Sequence, residues 1–199
     1  MAFILIPIVS WIFISGTKME YVIPEYEKIS DKITARTAKK LSKKYQLDPV
    51  GSGGSMMHDV EMLALSFNCY RPLSIDESRE LVINCVNEYL KSVNENEEIR
   101  PYLHNYPFTE QNIQVIIFFF GDKNFQKISP GKVNGVSAVK EQVRYYTDSI
   151  EDEYKLETLH QETYEEALRI VKEQGRLNPE LIYEYICHPC DGLYIFPYG

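Results

Sequence analysis

The stretch I-Q-V-I-I-F-F-F, Ile113–Phe120, constrains the fold more than any other part of this chain. Seven of its eight residues are apolar, and most are β-branched or aromatic. Eight residues is the length of a strand rather than a helix, and the composition predicts a strand buried on both faces. Phe108-Thr109 before it and Gly121-Asp122 after it mark its ends. Whatever else the chain contains has to cover that strand.

Several segments are suited to the task. Val60–Phe67 reads as a strand with Leu63, Leu65 and Phe67 on one face. Ser74-Ile75-Asp76-Glu77 has the form of a capping box, in which the serine oxygen accepts from the backbone N–H at Glu77 and that carboxylate reaches back. The helix behind it, to about Val93, aligns Leu81, Val82, Cys85, Val86, Tyr89 and Val93. Asn134-Gly135 reads as a turn or bulge between Lys127–Val133 and Val136–Val139, and Gln142–Thr147 as a further strand. Thr163-Tyr164-Glu165-Glu166 repeats the capping logic and opens a helix to about Gln174, closed by Gly175. Asn178-Pro179 starts a last short helix. The expected fold class is α+β: a mainly antiparallel sheet of four to five strands covered by two helices.

Ahead of this domain lies a different kind of sequence. Residues 1–17 carry no charged side chain. As a helix they span about 23–26 Å, a little short of a ~30 Å hydrocarbon core. Three readings compete. The segment is a membrane anchor with Trp11 near an interface and Lys18 snorkelling, the apolar region of a signal peptide with Ser15-Gly16-Thr17 as its exit, or a core helix. An unbroken apolar run at an extreme terminus favours membrane association. The side of the membrane stays open, because the lysines after the run favour a cytoplasmic domain and a signal peptide favours an external one.

Glu25–Tyr45 reads as a helix on which Lys28, Lys32, Arg36, Lys40 and Lys44 recur every four residues. The stripe suits anionic lipid headgroups, where each nearby base contributes about 1 kcal/mol. The alternative is a solvated face on a helix whose weaker apolar row (Tyr26, Ile29, Ile33, Leu41, Tyr45) packs on the domain. Gly51-Ser52-Gly53-Gly54-Ser55 follows a helix and precedes a strand, the reverse of a phosphate loop, and reads as a flexible connector. The expected organisation is therefore a membrane anchor or signal peptide over 1–17, a basic helix and Gly/Ser linker over 18–55, and the α+β domain over 56–199.

Composition narrows the function classes. A net charge of −8 argues against a nucleic-acid partner, since phosphate neutralisation needs an excess of Lys and Arg. Four cysteines are too few for a disulfide scaffold. The one local motif with chemical potential is Cys187-His188-Pro189-Cys190, which can close a small disulfide, give two thiolates to a metal such as zinc, or act in thiol redox chemistry. Its place close to the end of the sequence, after a short helix, is not that of a thiol-disulfide oxidoreductase. For zinc it is half a site, because Cys69 and Cys85 lack the second paired spacing. Cys85, on the apolar helix face, reads as a core residue.

His58, His104 and His160 do not converge in sequence, and no G-x-S-x-G or H-E-x-x-H is present to suggest catalysis. No cofactor is expected apart from the zinc option. The clusters Glu95–Glu98 and Glu151–Glu153 read as solvated loop acids. Asn94–Phe108 is a long connector with two prolines, and its second half carries Arg100, Tyr102, His104 and Tyr106. Those side chains suit recognition of a protein partner, or else cover for the core.

M-M-H-D-V-E-M-L-A-L-S-F-N-C-Y-R-P-L-S (56–74) and E-E-I-R-P-Y-L-H-N-Y-P-F-T (97–109) resemble segments of a family of small uncharacterised proteins of intracellular bacteria. The resemblance implies a bacterial origin and a recurring domain with an apolar leader, and carries no activity or site residue. The expectation that follows is a non-catalytic protein of the bacterial membrane or cell envelope, anchored or exported. It meets lipid through its N-terminus and a protein partner through the 100–108 loop. The alternative is a thiol-redox or metal-binding protein using Cys187 and Cys190.

Overall fold

A computed structural model describes residues 22–152 and 155–178 of the protein. Within them, six strands form one sheet whose spatial order follows the chain. They are β1 (Asp48–Ser55), β2 (Met62–Cys69), β3 (Ile113–Phe119), β4 (Gly135–Val139), β5 (Gln142–Asp148) and β6 (Leu156–Thr163). Three α-helices accompany them: α1 (Glu25–Tyr45), α2 (Ile75–Asn94) and α3 (Tyr164–Glu173). β2 and β3 run parallel because α2 returns the chain between them. Every other neighbouring pair is antiparallel. The fold is thus α+β with a mixed, mostly antiparallel sheet.

The central strand lies where its sequence places it, but it is buried on one face only. Ile113, Val115, Ile117 and Phe119 are buried, whereas Gln114 and Ile116 are partly exposed and Phe118 is 36% exposed. Burial alternates in the same sense along β2 and β5, where Leu63, Leu65, Phe67, Val143 and Tyr145 point inward. The helices pack against that inward face. The sheet is a two-layer partner rather than the middle of a sandwich, which removes the need for a second cover.

Two further strands lie where the sequence predicts none. The Gly/Ser segment expected as a flexible connector is β1, paired antiparallel along β2. The boundary expected after residue 55 therefore falls inside the β1–β2 hairpin. Backbone pairing, not side-chain burial, forms this strand, and one glycine is obligatory for it. A Cβ on Gly54 would sit 2.7 Å from the Met62 carbonyl oxygen. β6 arises from an acidic stretch and pairs with β5 through a bulge at Tyr145/Tyr146. Lys127–Val133, expected as a strand, is irregular, and β4 begins at Gly135 instead.

The helices match their sequence signals more closely. Ser74 Oγ accepts from Glu77 N–H at 3.3 Å, and the Glu77 carboxylate accepts from Ser74 N–H at 2.9 Å. Thr163 Oγ1 accepts from Glu166 N–H at 3.2 Å at the start of α3. Gly175, at φ +64°, follows the end of that helix. α1 buries Ile29, Ile33, Ala38 and Leu41 in the core, and its Thr34 Oγ1 lies 2.6 Å from the Tyr89 hydroxyl of α2. It is a member of the helix layer. The anchor or signal segment at 1–17 lies outside the described residues, as does the short helix expected after Asn178-Pro179. Among the described residues, no helix is long and apolar enough to cross a membrane.

Candidate functional site

Two connections meet at one end of the sheet: residues 56–61 between β1 and β2, and residues 95–112 between α2 and β3. A parallel bridge ties them. Val60 N–H donates to the Tyr102 carbonyl at 2.8 Å, and His104 N–H donates to the Val60 carbonyl at 2.9 Å. Val60 is fully buried and Leu103 nearly so. Strand-like alternation about those two residues turns Asp59 and Glu61 outward on one segment, and Tyr102 and His104 on the other.

The outward side chains interlock. His104 Nδ1 lies 2.8 Å from Asp59 Oδ2, and this hydrogen bond and the charge behind it raise the imidazole pKa above its ordinary value. Glu61 Oε2 accepts from Ser55 Oγ at 2.7 Å, and the Glu61 carbonyl accepts from Asn112 Nδ2 at 2.9 Å. The Arg100 guanidinium lies 4.8 Å from the centre of the Tyr106 ring, within the range of a cation–π contact. Tyr102 meets Tyr26 of α1 at 6.1 Å between ring centres. Beneath them, the Asn94 side chain holds the loop by donating to the Phe108 carbonyl at 3.0 Å and accepting from its N–H at 2.8 Å. Phe108 and Ile99 are buried, so the loop is anchored at both ends while Tyr106 stays 51% exposed.

The four recognition residues of the sequence reading, Arg100, Tyr102, His104 and Tyr106, thus come together on one ridge. The basic stripe is divided. Lys28, Lys32 and Arg36 face solvent, whereas Lys40 and Lys44 each place Nζ 2.5 Å from a carboxylate oxygen of the fully buried Glu88. Asn178 Nδ2 donates to the same carboxylate at 2.8 Å. Burial alone would raise the Glu88 pKa, but hydrogen bonds from the two lysines outweigh it and hold the group below the usual carboxylate range. Cys187 and Cys190 lie outside the described residues. Cys69 and Cys85 are buried free thiols, and burial pushes both thiol pKa values up, which is unsuited to nucleophilic chemistry.

Sequence reasoning missed a second polar cluster. Arg79 Nε of α2 donates to Glu162 Oε1 of β6 at 2.7 Å, and the Tyr145 hydroxyl of β5 donates to the same oxygen. Arg79 also pairs with Asp76, and the His160 ring lies 5.4 Å from that of Tyr145. Burial, reinforced by the neighbouring carboxylate, keeps the phenol protonated. The cluster is closed on itself and ties α2 to the sheet. The expected apolar face of α2 began at Leu81 and left Arg79 out, although its place three residues before Val82 and seven before Val86 puts it in line with that face.

Comparison with protein-family models, curated proteins and solved structures finds no match to this chain.

Proposed function

We propose that this chain is a non-catalytic protein-interaction domain of a bacterial membrane or cell envelope, and that Arg100, Tyr102, His104 and Tyr106 form its recognition surface. One observation carries the reading. Tyr106 is half exposed yet held in place, stacked on Arg100 in a loop fixed by Asn94 and by the Val60–Leu103 bridge. Tyrosine and arginine dominate binding hot spots because they offer large, rigid contact area, and a preorganised loop lowers the entropy cost of using it. Met57, 81% exposed on the adjoining segment, extends the apolar part of the same ridge. The bacterial origin rests on the resemblance of 56–74 and 97–109, the two stretches that supply both sides of the ridge. The envelope location rests on the uncharged run at 1–17.

The test is in-cell crosslinking from a photoreactive residue at Met57, comparing the native chain with Tyr102→Ala/Tyr106→Ala. The reading expects one discrete crosslinked protein that disappears in the double variant while the melting temperature stays within about 2 °C. Unchanged crosslinking, or loss of the fold in the double variant, would overturn it. Fractionation with mass spectrometry of the N-terminus tests the location: intact soluble chain in the cytoplasm refutes it.

A further inference from the structure

We infer that Asp59, Glu61 and His104 form a binding site for a divalent transition-metal ion, of which zinc is the best match. The site shares His104 with the proposed recognition surface, but it lies at the ridge's polar edge and needs no protein partner.

The donor set is the first argument. Two carboxylate oxygens and one imidazole nitrogen lie within 4.8 Å of one another. Zinc binds such nitrogen and oxygen donors at about 2.0–2.2 Å, which places tetrahedral ligands roughly 3.4 Å apart. His104 Nδ1 and Asp59 Oδ2 are already closer than that, at 2.8 Å. The Glu61 carboxylate offers the third ligand from no more than 4.8 Å away. Three protein ligands then leave a fourth position for water or for a donor from outside. Calcium prefers six or more oxygens and magnesium an octahedron of them, so neither suits a three-residue set with an imidazole.

The frame is the second argument. Backbone hydrogen bonds, rather than contacts among the three side chains, set where the ligands sit. Asp59 and Glu61 flank the buried Val60 at the two-residue spacing that puts them on one side, and two backbone hydrogen bonds place His104 beside them. Glu61 is supported from behind: Ser55 Oγ holds one carboxylate oxygen, Asn112 holds its carbonyl, and its own N–H donates to the Ser55 carbonyl at 2.9 Å. Outer hydrogen bonds of this kind orient metal-binding carboxylates. A plain ion pair between Asp59 and His104 accounts for those two residues, but not for a buttressed second carboxylate within 4.8 Å of both.

Calorimetric titration with zinc chloride tests the site, using the full chain in mild detergent after chelator treatment. Cys187→Ser and Cys190→Ser are present throughout so that thiolates contribute nothing. The expected result is one equivalent of zinc bound. His104→Ala and Glu61→Gln should each weaken it at least tenfold, with unchanged melting temperatures of the metal-free proteins. Cobalt substituted for zinc should give visible bands without a sulfur-to-metal charge-transfer band, and those bands should vanish in His104→Ala. Absence of stoichiometric uptake, or uptake indifferent to both substitutions, overturns the assignment. Crosslinking through Met57 is measured separately, so failure of either reading leaves the other intact.

Discussion

Replacing Glu162 by leucine puts the buried link between α2 and the sheet to a quantitative test. In the native chain, Arg79 and Glu162 expose 8% and 5% of their side chains and meet at 2.7 Å. Without Glu162, the guanidinium keeps Asp76, whose own side chain is 59% exposed, and the Tyr145 hydroxyl loses its acceptor. Stranding one partner of a buried ion pair costs about 3–5 kcal/mol. An orphaned buried hydroxyl costs about 1–3 kcal/mol. One carboxylate serves both groups, so the two figures overlap, and the expected loss is about 4 kcal/mol. For a chain of this size that corresponds to a fall in melting temperature of roughly 8–16 °C. Arg79→Leu combined with Glu162→Leu removes both charges and should be more stable than Glu162→Leu alone, because no unpaired charge stays buried. Adding Tyr145→Phe should recover a further part. Urea unfolding at neutral pH measures each value, with a constant m-value as the check that the same transition is observed. A cost below about 1 kcal/mol for Glu162→Leu would refute the reasoning, as would a double variant less stable than the single one.

Three other outcomes follow from the same structure. The Glu88 pKa is lowered on folding, so its contribution is complete above the ordinary carboxylate value of 4.5 and is lost as pH falls through the depressed folded value. Glu88→Gln should therefore lower stability at pH 7, by about 1–2 kcal/mol because Lys40 and Lys44 are 45% and 33% exposed and rehydrate, and flatten the acid side of the stability profile, as read by urea unfolding between pH 3 and 7. Gly54→Thr should destabilise by about 1–3 kcal/mol, since its Cβ meets the Met62 carbonyl, whereas Gly53→Thr, with nothing within 4 Å, should be neutral or slightly stabilising; thermal melts of the two separate steric from propensity effects. Cys85 should react with a thiol reagent only as fast as the protein opens, which peptide-level mass spectrometry during the labelling reaction can establish.

The elements legible in the sequence are those whose side chains announce them. β3, α1, α2 and α3 carry apolar periodicity or caps, and their bounds agree with the structure to within a residue or two. β1 and β6 were hidden because backbone pairing with a neighbour forms them: one is built of Gly and Ser, the other alternates no apolar face. Two-sided burial of β3 was a reasonable inference from seven apolar residues in eight, but Ile116 and Phe118 lie on the face the helices leave open. α2 shows the opposite error. Its apolar stripe was visible, yet Arg79, Asn84, Asn87 and Glu88 are buried as well, because the helix is enclosed by α1, α3 and the sheet. At the ridge, the 100–106 residues were recognisable as a group from their types. Their meeting with Asp59 was not, because a tertiary bridge across more than forty residues brings it about.

The identity of spatial and chain order in the sheet bears on how the molecule reaches its native state. Four of the five strand pairings join consecutive antiparallel strands, three of them across connections of two to seven residues and β3–β4 across fifteen, and these close at modest entropic expense. The pairing of β2 with β3 is different, since the whole of residues 70–112 must be folded back before the first of its hydrogen bonds can form. That closure is the natural bottleneck. Core truncations such as Leu65→Ala or Val115→Ala are expected to slow refolding, whereas changes in β1 or β6 act mainly on the unfolding limb of a denaturant rate plot. The topology therefore predicts that the β1–β2 hairpin and the β3–β6 meander join last, when α2 docks and makes them a single sheet.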